Sequence, residues 1–277
     1  MYIPAGVREF IRRALEEDIG SGDVTTSLLV PERQKSKTLM IAKGSFIVAG
    51  LPFAKEVFQL FDPETEFSVS VKEGARVKRG DIIAAVSGRT GTLLTCERVS
   101  LNLLQRLCGI ATVTSDFVRE IKGLDVRIVD TRKTTPGMRF MEKYAVRAGG
   151  GLNHRFGLFD GILIKDNHIE AAGGIGNAVS AARKAHHLMK IEVEVESLKD
   201  LEEALRAGAD IVMLDNMSTA EMKKAAGIVQ GRALIEASGN MTLERVREVA
   251  ECGVNLISVG ALTHSAPAAD ISMKLVK

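Results

Sequence analysis

The sequence of 277 residues contains no tryptophan, and aromatic residues make up only 4% of it. This scarcity argues against a surface on which successive nucleic-acid bases stack. No stretch approaches the about 18 consecutive uncharged apolar residues of a membrane-spanning helix. The net charge is +2, from 37 basic and 35 acidic residues, so no global field attracts the molecule to nucleic acid. Any anion-binding function must therefore be local.

Cysteine is scarce as well. Cys96, Cys108 and Cys252 are odd in number and far apart, and no two of them form a C-x-x-C pair. This spacing argues against a disulfide framework and against a cysteine zinc site. We expect three small buried side chains in a reducing compartment, and therefore a cytoplasmic protein.

The chain has two patterns. Its first third consists of short strand-like runs that are separated by glycines and turns. Further along, apolar runs alternate with helical patterns, which predicts a parallel sheet with crossover helices. A complete eight-stranded barrel needs about 250 residues, so an incomplete barrel or an open sheet fits this part better. The predicted strands are 126–129, 162–164, 191–195, 211–214, 233–235 and 256–259.

Polar side chains follow nearly every one of these strands. In βα architectures, functional groups gather at the carboxyl ends of the strands. A polar residue at one strand end is uninformative, but six in series predict a site. The series comprises Asp130, Arg132 and Lys133; Lys165, Asp166, Asn167 and His168; Glu194 and Glu196; Asp215 and Asn216; Glu236, Ser238 and Gly239; and Gly260, Thr263 and His264.

The first part of this series is predominantly basic. Three consecutive glycines precede His154 and Arg155, which is typical of a flexible loop and not of the charged face of a helix. Together with Arg132 and the lysines at 133 and 165, this loop suits a bidentate grip on carboxylates or phosphates. The stretch therefore predicts an anion-binding site.

The next two strand ends are acidic. Glu194 lies in the strand IEVEV, whose glutamates and valines point in opposite directions. Buried glutamates are costly unless cations balance them. Asp215 follows the apolar run IVML. Opposite a basic half-site, Glu194 and Asp215 can hold Mg²⁺ or accept hydrogen bonds from sugar hydroxyls; a structural ion pair with a nearby lysine is the alternative.

The last units of the series contribute small residues. Ser238, Gly239 and Asn240 precede a predicted helix, and Gly260 follows a strand. Backbone N–H groups at a helix N-terminus cradle a phosphate, and glycine permits its close approach. The last loops of barrels frequently form such a site. The simplest substrate for the whole series is a pair of small anions, one of which carries a phosphate on a sugar.

Several long blocks of the chain also carry a family resemblance. They read EDIGSGDVTT, CERVSLNLLQRLCGIAT, DTRKTTPGMRFMEKYAVRAGGGLNHR and LIKDNHI, followed by EVEVES, MLDNMS, EASGN and SVGALTHS. In this order the blocks cover essentially the whole length. The chain resembles the quinolinate phosphoribosyltransferases, the nicotinate-nucleotide pyrophosphorylases (carboxylating) of NAD biosynthesis.

The resemblance implies a fold and an assembly. The fold would be an α/β sandwich domain over residues 1–106, rejoined by 265–277, and an open, about seven-stranded α/β barrel over 107–264, as in type II phosphoribosyltransferases. The enzyme would be a cytoplasmic homodimer with shared active sites, and the resemblance leaves open whether dimers assemble further. It would have no nucleic-acid or membrane partners. It would use Mg²⁺ bound with phosphoribosyl pyrophosphate and no organic cofactor.

The resemblance also implies roles for single residues. Lys133, Lys165, Glu194 and Asp215 would be catalytic, and Glu194 and Asp215 would address the metal or the ribose. The partner's copy of Arg98 would complete the site. Quinolinate would be held by Arg98, Arg132, His154, Arg155 and Lys165, and phosphoribosyl pyrophosphate by Lys133, Glu194, Asp215, Ser238, Gly239, Asn240, Gly260 and His264.

Three other functions remain to be weighed. A Schiff-base lyase or isomerase would use Lys165 at its strand end. A homologue associated with molybdenum transport would share the fold but act on another substrate. A non-catalytic sensor would bind a phosphate-bearing ligand without releasing pyrophosphate.

Overall fold

A computed structural model describes residues 2–276 and divides the chain into two units. Unit 1 contains the described residues of Met1–Ser115, Thr134–Gly150 and Leu262–Lys277, and unit 2 contains Asp116–Lys133 and Gly151–Ala261. The domain boundary predicted after residue 106 falls inside one continuous helix and stays a prediction. The first and last residues of the predicted domains, 1 and 277, lie outside the described residues.

The helices and strands follow one another along the chain as the two patterns predict. The helices are α1 (Ala5–Ile19), α2 (Val24–Leu29), α3 (Leu51–Phe61), α4 (Thr90–Glu120), α5 (Arg139–Ala148), α6 (Asp166–Ala172), α7 (Ile175–Ala182), α8 (Leu198–Ala207), α9 (Thr219–Val229), α10 (Leu243–Ala250) and α11 (Ala261–His264). The strands are β1 (Lys35–Ala42), β2 (Phe46–Ile47), β3 (Glu66–Val69), β4 (Arg76–Val77), β5 (Ile82–Arg89), β6 (Arg127–Val129), β7 (Ile162–Ile164), β8 (Ile191–Val195), β9 (Ile211–Asp215), β10 (Leu234–Ser238), β11 (Leu256–Ser258) and β12 (Ile271–Leu275).

Unit 1 contains an antiparallel sheet in the order β12-β1-β5-β3. Along β1, Thr38, Met40 and Ala42 are buried and alternate with more exposed residues, which is the two-residue period of a strand with one covered face. β12, near the end of the chain, pairs with β1 through Met40 and Met273. The strands β2 and β4 form a separate two-stranded sheet.

One partly buried guanidinium joins all three chain segments of unit 1. Arg106 donates to the Glu142 carboxylate at 3.1 Å and to the carbonyl of Ala266 at 2.9 Å, and it also donates to the carbonyl of Thr263. Glu142 is fully buried and accepts further bonds from the Thr135 amide and hydroxyl. Because the Glu142 carboxylate is paired and hydrogen-bonded, it is tolerated where an isolated charge would not be.

Unit 2 is built on a parallel sheet in the order β6-β11-β10-β9-β8-β7. Leu152, which lies between β6 and β7 in the sequence, adds an isolated parallel bridge to Val129 at the free edge of β6. Six regular strands plus this bridge account for the about seven strands that the resemblance implied. The α/β fold class, with a separate antiparallel sheet in the N-terminal part, is confirmed.

All six predicted strands of the parallel sheet are present, and β7 and β8 have the predicted bounds. β9 and β10 extend further than predicted and end on Asp215 and Ser238. Since neighbouring strands are parallel, their carboxyl ends lie along one edge of the sheet. Within residues 2–276, no helix is long and apolar enough to cross a membrane.

Candidate active site

The carboxyl edge of the parallel sheet in unit 2 carries most of the residues that the sequence singled out. This is the edge at which open α/β sheets and barrels bind their ligands. The residues at this edge are Arg132 and Lys133 after β6; His154 and Arg155 after the bridge at Leu152; Lys165 after β7; Glu194 in β8; Asp215 in β9; Ser238, Gly239 and Asn240 at and after the end of β10; and Gly260 after β11.

Two predicted site residues belong to unit 1. Arg98 is exposed on α4, and His264 is exposed on α11, where its Nδ1 lies 2.6 Å from the Ser265 hydroxyl. The interactions with substrate predicted for Arg98 and His264 stay predictions.

A buried carboxylate fixes the glycine-rich loop. Asp130 is fully buried directly after β6. One of its oxygens accepts the His154 backbone N–H at 2.8 Å, and the other accepts the Asn153 side-chain amide at 2.7 Å. Further along, the Arg155 guanidinium donates to the carbonyl of Gly161 at 2.9 Å. The glycines predict a flexible loop, but these bonds anchor it at Asn153 and His154 and through the Arg155 side chain.

Arg155 and Arg132 form a pair of like charges. Partial burial lowers the pKa of the Arg155 guanidinium, and the positive charge of Arg132 lowers it further, while Glu192 and Asp160 oppose the shift. Two guanidinium groups that repel one another are both stabilised by a bound dianion, and each can grip a carboxylate with two hydrogen bonds. The pair therefore suits a ligand with two negative charges.

His154 contacts two buried glutamates. Its Nε2 lies 3.0 Å from the Glu192 carboxylate and 3.6 Å from that of Glu236. Burial raises the pKa of Glu236 to about 8; the negative charge of Glu192 raises it further and His154 opposes the shift. The sequence pattern places Glu236 at a strand end but assigns it no role, although an acid that follows two apolar residues in the strand LIEAS is a signal.

Lys165 and Glu194 form an ion pair, in which the Lys165 ammonium donates to a Glu194 carboxylate oxygen. This is the arrangement that the sequence offered as the alternative for Glu194. On the neighbouring strand, Asp215 accepts a bond of 2.9 Å from the Asn216 side chain. The acidic part of the edge thus lies directly beside a cation.

The turn after β10 requires a glycine. Gly239 has φ +91°, and a Cβ built there would lie 2.1 Å from Asn216 Oδ1 and 2.9 Å from the Asn216 backbone nitrogen. Asn240 donates to Asn216 Oδ1 at 3.1 Å, and Arg245 donates to the carbonyls of Gly239 and Met217. The turn is therefore held in one conformation ahead of α10, as a cradle for an anion requires.

Replacement of this glycine tests the turn. We expect Gly239→Ala to lower the free energy of unfolding by about 1–3 kcal/mol, because alanine at this φ is strained and its Cβ meets Asn216 backbone. The measurement is urea unfolding. The matched control is Gly227→Ala in α9, where nothing lies within 4 Å of the added Cβ. We expect the control to gain about 0.5–1 kcal/mol. Equal effects of the two substitutions would contradict the proposed constraint.

Family models match both parts of the chain. The model "Quinolinate phosphoribosyl transferase, N-terminal domain" matches residues 23–108, and "Quinolinate phosphoribosyl transferase, C-terminal domain" matches residues 110–274. Among curated proteins, the chain is similar to the "Probable nicotinate-nucleotide pyrophosphorylase [carboxylating]" of Bacillus subtilis. The two are 46% identical over 268 residues, which is 96% of this chain and 92% of the relative.

Other relatives agree. A protein of the same name from Synechocystis sp. is 44% identical over 97% of this chain and 92% of its own length. Among solved structures, the fold is similar to NadC from Streptococcus pyogenes, with a TM-score of 0.95 and 42% identity over 100% of this chain and 99% of that one.

Proposed function

We infer the activity of the chain from its family and its site: it belongs to the quinolinate phosphoribosyl transferase family, and it transfers the phosphoribosyl group of phosphoribosyl pyrophosphate to quinolinate. The products are nicotinate mononucleotide, pyrophosphate and CO₂, and the reaction belongs to NAD biosynthesis. No finding supports a lyase that uses Lys165, a molybdenum-related homologue or a non-catalytic sensor.

One observation carries this function: Arg132 follows β6 and Arg155 lies on the loop that Asp130 anchors, so both guanidinium groups belong to the same part of the edge, where the charge of Arg132 lowers the pKa of Arg155. Quinolinate is a pyridine with two adjacent carboxylates, and it therefore presents the two negative charges that such a pair accommodates. We assign quinolinate to this part of the edge, with Lys165 and His154 beside it. Arg98 of the partner subunit would supply a further cation.

The remainder of the edge suits phosphoribosyl pyrophosphate. Lys133 would hold the diphosphate, while Glu194 and Asp215 would face the ribose. Cleavage of the bond between C1 and pyrophosphate develops positive charge on the ribose ring, and fixed carboxylates stabilise that charge. The 5′-phosphate would lie against the turn after β10 and the start of α11, among Ser238, Gly239, Asn240, Gly260 and His264.

The donor atoms at the acidic part of the edge also fit Mg²⁺. Glu194 and Asp215 offer carboxylate oxygens on adjacent strands, and Mg²⁺ prefers oxygen ligands and is commonly shared with substrate phosphates. These two residues would hold the ion together with the diphosphate of the substrate. Bound there, Mg²⁺ would stabilise the negative charge of the leaving pyrophosphate.

The second half of the reaction removes CO₂. Attack by the pyridine nitrogen on C1 of the ribose makes that nitrogen quaternary. The adjacent carboxylate then leaves as CO₂, because the carbanion that remains is stabilised by the neighbouring positive charge. A proton must reach that carbon, and we propose Lys165, whose ammonium is held by Glu194, or a bound water as its source.

We also propose a cytoplasmic homodimer with shared sites. The three cysteines are free and buried, which supports a reducing compartment. Arg98 is exposed on α4, and an exposed cation suits a role in the site of a second subunit.

The activity is tested by product analysis. Protein, Mg²⁺, quinolinate and phosphoribosyl pyrophosphate are incubated together, and CO₂ and nicotinate mononucleotide are quantified. We expect the two products in equal amounts. Nicotinate in place of quinolinate is the control, and we expect it to give little product because it lacks the second carboxylate. Mononucleotide without CO₂ would overturn the assignment.

Mixed dimers test the shared site. Arg98→Ala and Lys165→Ala should each be inactive, and a refolded mixture should recover about a quarter of the wild-type activity, since half of the dimers then contain one intact site. A mixture of Lys165→Ala with Asp215→Ala is the control and should recover no activity. Lys165 and Asp215 of one site come from the same subunit, so each site of such a mixed dimer lacks one of the two residues. A verified mixed dimer of the first pair without activity would refute the shared site.

A further inference from the structure

His154, Glu192 and Glu236 form a buried cluster inside unit 2. One nitrogen of His154 and one carboxylate oxygen of each glutamate all lie within 4.8 Å of one another. Glu192 is 4% exposed and Glu236 is 0% exposed. Among the described residues, one oxygen of Glu192 and both oxygens of Glu236 have no hydrogen-bond partner. Such a cluster can hold a metal ion between its ligand atoms, or the imidazole can donate its N–H to a carboxylate.

The hydrogen bonds of the imidazole distinguish the two. His154 Nδ1 accepts the backbone N–H of Arg155 at 2.8 Å. An imidazole nitrogen that accepts a hydrogen bond carries no proton, so the ring proton of His154 lies on Nε2 and points to Glu192. A metal bound by the cluster would need the lone pair of Nε2, which is already protonated. The geometry therefore favours a proton over a metal ion.

The bond made by the other ring nitrogen follows from this assignment. The Nε2–H of His154 donates to the Glu192 carboxylate at 3.0 Å, and one oxygen of Glu236 lies 3.6 Å from the same nitrogen. Glu192 is thus the carboxylate that accepts the hydrogen bond of the imidazole.

Few other polar groups face the cluster. Arg155, on the loop after Leu152, faces Glu192 and is itself surrounded by Arg132 and Asp160. The hydroxyl of Ser258 on β11 lies beside Glu236. Arg155 is the cation whose charge acts on Glu192, and it is the one that the cluster would hold in place.

We propose that Glu192 is a positioning residue, which accepts the Nε2–H of His154 and so holds the tautomer whose Nδ1 fixes the backbone of Arg155 and directs its guanidinium toward quinolinate. The part that concerns quinolinate rests on the proposed function. His154 would then act through Arg155, and not as a direct ligand of a carboxylate.

The tautomer is measured on the free protein. The ¹⁵N and ¹³C chemical shifts of the imidazole, assigned among the five histidines with a His154→Gln variant, report which nitrogen carries the proton. We expect a protonated Nε2 and an unprotonated Nδ1 in the free protein at pH 7.5. An imidazolium or an Nδ1–H tautomer would overturn the proposal, as would a saturable shift of the signal on addition of Mn²⁺ or Zn²⁺.

The same chemical shifts are recorded for Glu192→Ala and for Glu202→Ala, an exposed position on α8, which is the matched control. We expect the tautomer to be lost in Glu192→Ala and kept in the control, and an unchanged tautomer in Glu192→Ala would overturn the role of Glu192. This measurement needs no substrate, so it stands or falls independently of the proposed function.

The positioning role is measured by kinetics. Glu192→Ala removes the acceptor of the Nε2–H, and we expect the KM for quinolinate to rise at least tenfold while the KM for phosphoribosyl pyrophosphate changes less than twofold. An unchanged KM for quinolinate in a folded variant whose His154 tautomer is lost would overturn the positioning role.

Discussion

Burial of three carboxyl groups in unit 2 is the constraint on which the site depends. Asp130 directly after β6, Glu192 on β8 and Glu236 on β10 are buried among mostly apolar side chains, where an unpaired charge is costly. His154 lies near all three: its backbone N–H donates to Asp130, and its ring nitrogen Nε2 lies 3.0 Å from Glu192 and 3.6 Å from Glu236. These contacts between His154 and the buried acids fix the loop after Leu152.

The arrangement of charges at the edge follows from this anchoring. Arg155 lies where the positive charge of Arg132 repels it. The hydrogen bonds of the loop offset the free energy of that repulsion. On the next strands, Lys165 after β7 forms an ion pair with Glu194 on β8. The acidic part of the edge, Glu194 and Asp215, therefore begins beside the basic part. A dicarboxylate and a phosphorylated sugar can thus lie side by side on one sheet edge, each against charges of the sign it needs.

The sequence was sufficient for the strands of the parallel sheet and for most of the site. A strand buried on both faces reads as an apolar run, and parallel strands bring the residues that follow them to one edge, which is why Lys165 and Asp215 could be placed without a structure. The contact between Glu192 and Glu236 could not be predicted in this way. They lie on β8 and β10 with β9 between them and are offset by two residues in register. Their backbones are therefore more than two strand spacings of about 4.8 Å apart, and their carboxyl groups meet only because side chains converge on the inner face. No periodicity encodes that convergence, nor the bond between Arg106 and Glu142 in unit 1.

The central claim is that Arg132 and Arg155 together recognise a dianion. Its most direct test is calorimetric binding of quinolinate and of nicotinate to wild type, to Arg132→Gln and to Arg127→Gln, a control at the opposite end of β6. A charge-assisted hydrogen bond is worth about 1.5–3 kcal/mol, so Arg132→Gln should weaken quinolinate binding by about tenfold or more. Binding of nicotinate should change little, and Arg127→Gln should change neither. Equal losses for both ligands, or no loss for quinolinate, would contradict the account.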